Sequence, residues 1–437
     1  MSSNKDDMKY LPIDKNLYIN NRKKFIAQMA PNSVAIFNSN DVFPISADST
    51  MPFKQHRDIL YLSGVDQEES ILVLFPDAHE DHYKEVLFLK ETSELIAVWE
   101  GEKLTKETAF TTSGISSVFW LHDFDIQLNK IMAQAENIYI NTNIHLRANA
   151  EVQTREDRFI ESLQKKYPAH TYKKAAPIMH SIRSVKEQVE IDLMQKACDI
   201  TAKGVQRVID FLKPGVWEYE IEAEIMHEFL RNRSAGFAYT PIIGSGYNAC
   251  VLHYIENNQH CKDGDVVLMD FGAEYANYAS DLTRCFPVSG RFTKRQKEVY
   301  NAVLKVKTES EKLLVPGTYL EDYHIEVGRL MESELLGLGL IDQTDIKNQD
   351  PAWPAYKKYF MHGTSHYIGL DTHDVGSWTT PMRAGNAFTC EPGIYIPEEN
   401  LGIRLEDDLI VQSSGAPFNL MRDIPLEAEA IEDAMNR

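Results

Sequence analysis

A chain of 437 residues is long for one hydrophobic core, so two domains are expected. Its composition is that of a globular protein, and a formal charge of −20 makes nucleic acid and anionic membrane surfaces poor partners. The five cysteines are odd in number and lack a metal-type spacing, which reads as buried free thiols in a reducing, cytoplasmic setting.

From Met1 to Ala30 the chain is peppered with charge (Lys5, Asp6, Asp7, Arg22, Lys23, Lys24) and carries no continuous apolar stretch. Neither a signal peptide nor a membrane span is expected there. Val34 to Phe37, Ile71 to Phe75, Val86 to Leu89 and Ile138 to Ile140 are apolar runs of strand length separated by helical stretches, the pattern of a wound α/β domain. The Lys-rich stretch from Gln164 to Lys174 reads as a boundary, giving domains 1–172 and 173–437.

The second domain opens on a helix signal. Ser184 and Glu187 form a capping-box pattern, with Val189, Leu193, Ala197 and Ile200 on one face. Pro214-Gly215 ends it, and a second helix carries Ile221, Ile225, Met226 and Phe229. The order then repeats: Thr293 and Gln296 as a capping box, Val299, Val303 and Val306, Pro316-Gly317, and a helix through Ile325, Val327 and Leu330. Each half also holds a Gly-plus-polar turn, a short apolar run, an acid, and a Gly two positions on. These are Gly264 to Gly272 around Asp270, and Gly385 to Gly393 around Glu391. A carboxylate at the end of a buried strand is costly unless a cation meets it, so a duplicated α+β scaffold delivering two carboxylates to one site is expected.

Asp270 ends one apolar run and Asp281 begins the next. A turn centred near Tyr275-Ala276 would set the two acids opposite each other on neighbouring strands, where like charges repel unless a cation lies between them. Two solvated loop acids are the bland alternative. His362, His366 and His373 crowd one short stretch, and Gly363 and Gly369 argue against a helical zinc pair there. Glu391, Arg404 and Glu406 form a third cluster, which a structural ion pair beside the sheet would also explain; His253 alone reads as a packed histidine. Asp270, Asp281, His366, Glu391 and Glu406 together are a hard, oxygen-dominated ligand set, suited to Mn²⁺ with Co²⁺ or Zn²⁺ as alternatives. Four carboxylates balance two divalent ions, and water held between such ions falls from a pKa of about 15.7 toward about 7.

At these residues the chain resembles the metal-dependent aminopeptidase P and prolidase family, whose catalytic domain has the pita-bread fold. The resemblance rests on Ile243 to Gly246, Leu252-His253-Tyr254, Asp270 through Asp281, His362 through Gly376, Glu391 to Tyr395 and Gly402 to Glu406. In the first domain it rests on Arg57 through Gly64. It implies release of the N-terminal residue from peptides with proline second, by attack of a metal-bridging hydroxide. Asp281 and Glu406 would bridge two ions, with Asp270 completing one shell and His366 with Glu391 the other. His253, His362 and His373 match the family's active-site histidines, and Arg404 and Tyr395 positions near the metals. Glu391 would also move the proton, and Tyr239, His362 and His373 would surround the proline ring.

A prolidase limited to Xaa-Pro dipeptides shares this ligand set, and a metal-free peptide-binding scaffold shares the fold; the filled ligand positions count against the scaffold. The resemblance further implies a homodimer or homotetramer associating through a first domain that restricts substrate, with Trp99 matching a position that approaches a neighbouring active site.

Overall fold

The computed structural model describes residues 10–148 and 151–437, so the leading charges Lys5, Asp6 and Asp7 lie outside the described residues. The chain divides into two compact units, one running Leu11–Arg183 and the other holding Ser184–Arg437.

The first unit is built on a six-stranded sheet. Its spatial order is Ser117–Trp120, Glu85–Leu89, Ile71–Leu74, Ser33–Asn38, Asn137–Ile140, Thr171–Lys174. Ile71–Leu74 runs antiparallel to both its neighbours and the other pairings are parallel. The four predicted strands are all present. Their apolar runs are continuous rather than alternating because both faces are covered: Val34, Ala35, Ile36 and Phe37 are all fully buried. The expected boundary at 172 falls inside this unit. Thr171–Lys174 is an edge strand whose lysines and partial exposure mimic a linker, and the helix Ala176–Arg183 follows it. Arg183 then closes on Asp58 at 2.8 Å, and the unit ends there.

In the second unit one order of elements occurs twice. Helices Gln188–Phe211 and Glu218–Arg231 precede a sheet of Ile242–Ser245, Val266–Asp270 and Thr283–Pro287. Helices Lys294–Glu311 and Leu320–Gly337 precede a sheet of Ala387–Cys390, Asp407–Ile410 and Phe418–Asn419. Each sheet is interrupted at the same point by a hairpin, Ala273–Tyr275 with Tyr278–Ala279 in the first and Gly393–Ile396 with Leu401–Arg404 in the second. The halves meet where Thr283 bridges Glu406.

Local sequence explains much of this. Thr293 and Gln296 cap the third helix reciprocally, at 2.8 and 3.3 Å. Gly215 and Gly317, each after a proline, sit at φ +94° and +95°, which a side chain would oppose. The first helix departs from expectation. Its cap is Glu187, whose amide bonds Glu190 Oε2 at 2.9 Å, and not Ser184. Ser184 to Lys186 are held extended by pairing with Gly385 and Asn386, so the helix starts at Gln188. Of the expected face, Ala197 and Ile200 are fully buried and Leu193 is half-buried, whereas Val189 is exposed and Met194 and Cys198 join the core. Ile325 likewise faces out while Val327 and Met331 fill the core. Among the described residues no helix is long and apolar enough to cross a membrane.

Candidate functional site

Asp270 ends its strand opposite Thr283, and not opposite Asp281 as the sequence suggested. The turn is one residue later than expected, at Ala276-Asn277, where positive φ values of 49° and 71° make a tight primed turn. That displaces Asp281 by two positions and so keeps it on the same strand face. Gly272 allows the bend between sheet and hairpin, since a Cβ there would lie 1.7 Å from the Ser280 carbonyl oxygen.

The two acids converge on one phenol. Tyr239 Oη lies 2.5 Å from Asp270 Oδ1 and contacts Asp281 Oδ1 as well. A phenol has one proton to give, so both contacts require a further proton among the acids. Asp281 is the group pushed well above the carboxylate range, by burial first and then by the neighbouring Asp270. Burial and the surrounding carboxylates drive the Tyr239 hydroxyl upward too.

The second half supplies the facing groups. His366 Nδ1 donates to the Tyr367 carbonyl at 3.0 Å, which turns Nε2 toward the acids, 3.5 Å from Asp281 Oδ2 and 3.5 Å from Glu391 Oε1. One ligand atom from each of Asp281, His366 and Glu406 lies within 4.8 Å of the others. Asp281 is anchored from behind, its amide donating to buried Asp408 at 3.0 Å.

Arg404 ties the groups together. Its Nη2 donates to Asp270 at 2.6 Å, Nη1 to Tyr395 Oη at 2.9 Å, and Nε to Thr283 Oγ1 at 3.1 Å. Thr283 Oγ1 in turn donates a hydrogen bond to Glu406 Oε2 at 2.7 Å. Tyr395 donates to His362 Nε2 at 2.7 Å, and His362 Nδ1 donates to the Gly363 carbonyl at 2.7 Å. Those directions require a neutral imidazole. Burial, followed by the Arg404 charge, lowers the His362 pKa to about 3.

Charge is out of balance here. Burial first, then mutual repulsion with Asp281, raises Glu391 to about 7, and Glu406 is driven well above its ordinary range in the same way. Arg404 is the guanidinium that meets this cluster of four acids. A buried set short of positive charge, with an imidazole nitrogen aimed into it, has the donor chemistry of a divalent-metal centre.

The histidines at the margin are less enclosed. His373 is exposed, its ring edge-on to His366 at 4.5 Å. His253 is also exposed. Sequence reasoning missed Thr283 and Asp408, although each lies two residues beyond a candidate acid. It also missed a cavity of about 540 Å³ beside His362, lined by His324, Tyr356, Phe360 and Trp378. Nothing in a helix signal marks His324 as facing a site.

Residues 192–413 match metallopeptidase family M24, and residues 18–139 match the aminopeptidase P N-terminal domain. An Xaa-Pro aminopeptidase of Haemophilus influenzae is 35% identical over 430 residues, covering 95% of this chain and 96% of its own. That of Escherichia coli is 34% identical over 429 residues with the same coverage. Human Xaa-Pro aminopeptidase 3 is 30% identical, over 94% of this chain and 82% of its own. A zinc-substituted E. coli aminopeptidase P solved with product superposes with TM-score 0.87 at 32% identity, covering 97% of this chain and 99% of that one.

Proposed function

Because the chain belongs to metallopeptidase family M24, we propose that it is a metallo-aminopeptidase that releases the first residue from peptides with proline in second position. The convergence of Asp281, His366 and Glu406 within 4.8 Å, with Asp270 and Glu391 alongside, carries this reading. The five side chains Asp270, Asp281, His366, Glu391 and Glu406 would hold divalent metal ions, Mn²⁺ first among the candidates. Bound there, such ions supply Lewis acidity to the scissile carbonyl and to water.

The remaining work falls to side chains. The acids draw the substrate's free α-amine, which limits cleavage to the first bond. Glu391 would accept the water's proton and return it to the proline nitrogen as that bond breaks. Neutral His362 has both nitrogens engaged, so it positions rather than titrates, while exposed His253 is free to turn toward the developing oxyanion. An Xaa-Pro bond offers no N–H, so recognition rests on shape, with His362, His373 and the Tyr239 ring as the walls.

A first unit that mediates homo-oligomer formation fits the helix Glu94–Glu100, which buries none of its residues and leaves Trp99 82% exposed. The experiment is a comparison of an Xaa-Pro-Xaa tripeptide with an Xaa-Pro dipeptide under Mn²⁺. Release of the first residue from the tripeptide supports the proposal. Hydrolysis of the dipeptide alone identifies a prolidase and overturns it.

A further inference from the structure

We infer that Lys186 and Asp374 form an internal strut that positions His366, a role that rests on the metallopeptidase reading above. Lys186 Nζ meets Asp374 Oδ2 at 2.8 Å, with side chains 2% and 1% exposed. A pair so buried returns little net stability compared with apolar side chains of the same volume, so geometry is the better account of it.

The route from the pair to the site is short. The Asp374 amide donates to the Tyr367 carbonyl at 2.9 Å, and that same carbonyl accepts His366 Nδ1 at 3.0 Å. Asp374 therefore fixes the acceptor that selects the His366 tautomer and aims Nε2 at Asp281 and Glu391. Asp374 also follows His373, whose ring packs against His366. At its other end the strut is tied down, since the Lys186 amide donates to the Gly385 carbonyl at 2.8 Å, just before the strand that leads to Glu391. The pair packs directly on Gly369, where a Cβ would come within 2.4 Å of both Nζ and Oδ2. A residue 180 positions upstream in the sequence thus holds one wall of the histidine loop.

Three readouts test this on the full chain: the imidazole ¹⁵N spectrum of metal-free protein, Mn²⁺ affinity by calorimetry, and kcat against KM. In wild type the His366 Nδ1–H is protected from exchange, its signal assigned by its loss in His366→Gln. Lys186→Met loses that protection, binds Mn²⁺ about tenfold or more weakly and loses kcat more than it raises KM, whereas Lys186→Arg recovers most of each. A Lys186→Met protein that melts earlier but keeps the protected proton, the affinity and kcat makes the pair merely structural and overturns the inference. Should Lys186→Met fail to fold, Asp374→Asn keeps the shape of the pair and is read by the same three measurements. A wild type inactive on every Xaa-Pro peptide would sink the peptidase reading, while the metal-free spectrum would still decide the strut.

Discussion

Arg404→Lys isolates what the guanidinium does beyond carrying charge. Arginine reaches three partners with three nitrogens: Asp270, Tyr395 and Thr283, at 2.6, 2.9 and 3.1 Å. A lysine ammonium can keep the Asp270 pair but cannot span to the other two. Two buried hydrogen bonds at about 1–1.5 kcal/mol each amount to about 2–3 kcal/mol. The loss loosens the Tyr395–His362 chain, which sets a wall of the proline pocket, and the Thr283–Glu406 contact, which holds a metal-binding carboxylate. It should appear in kcat/KM, as a fall of roughly 30- to 150-fold. Steady-state kinetics on an Xaa-Pro-Xaa tripeptide, with a thermal melt to show the fold intact, makes the measurement. A kcat/KM within about threefold of wild type would refute the reasoning, because the network would then be dispensable.

Other outcomes follow from single contacts. Thr283→Val removes both the acceptor for Arg404 and the donor to Glu406; kcat should drop about tenfold or more, and unchanged kinetics would dismiss Thr283 as a relay. Gly272→Ala drives a methyl into the Ser280 carbonyl and should yield little folded protein; a normally stable variant by circular dichroism would count against the close approach. Glu156, in the first unit, is buried with Oε1 lacking a hydrogen-bond partner, and burial raises it to about 8. The folded state keeps this proton to about pH 8 while the unfolded chain loses it near 4.5, so the associated stability is full below the lower value and is lost as pH rises through the upper. Glu156→Gln should therefore raise the unfolding free energy of the first unit, read from urea denaturation at pH 8.5, by an amount on the order of 4 kcal/mol, with the gap closing toward pH 4.5. A gap that does not vary with pH would mean the carboxyl is not the cause.

The sequence carried the strands of the first unit because fully covered strands are apolar without interruption, and it carried the repeated helix–Pro-Gly–helix order because caps and turns are local chemistry. It misplaced the domain boundary because an edge strand rich in lysine has the composition of a linker. The Ser184 cap failed because its segment is held extended by Gly385 and Asn386, two hundred residues away in the chain, a pairing no local pattern records. At the site, the family motif brought Asp270, Asp281, His366, Glu391 and Glu406 into view together. Their register did not follow from spacing, since a turn one residue later reassigns every partner. The hydrogen-bond chain from Arg404 through Tyr395 to His362, and the groups behind it at Asp408, Lys186 and Asp374, arise only once the two halves pack.

Stripping the protein with a chelator and returning Mn²⁺ in measured equivalents, alongside Asp281→Ala, tests the core of the account. Wild type should be inactive when stripped and regain Xaa-Pro-Xaa cleavage as two equivalents bind, with the variant taking up less metal and staying inactive. Full activity in stripped protein, or stoichiometric binding undiminished in Asp281→Ala, would contradict it.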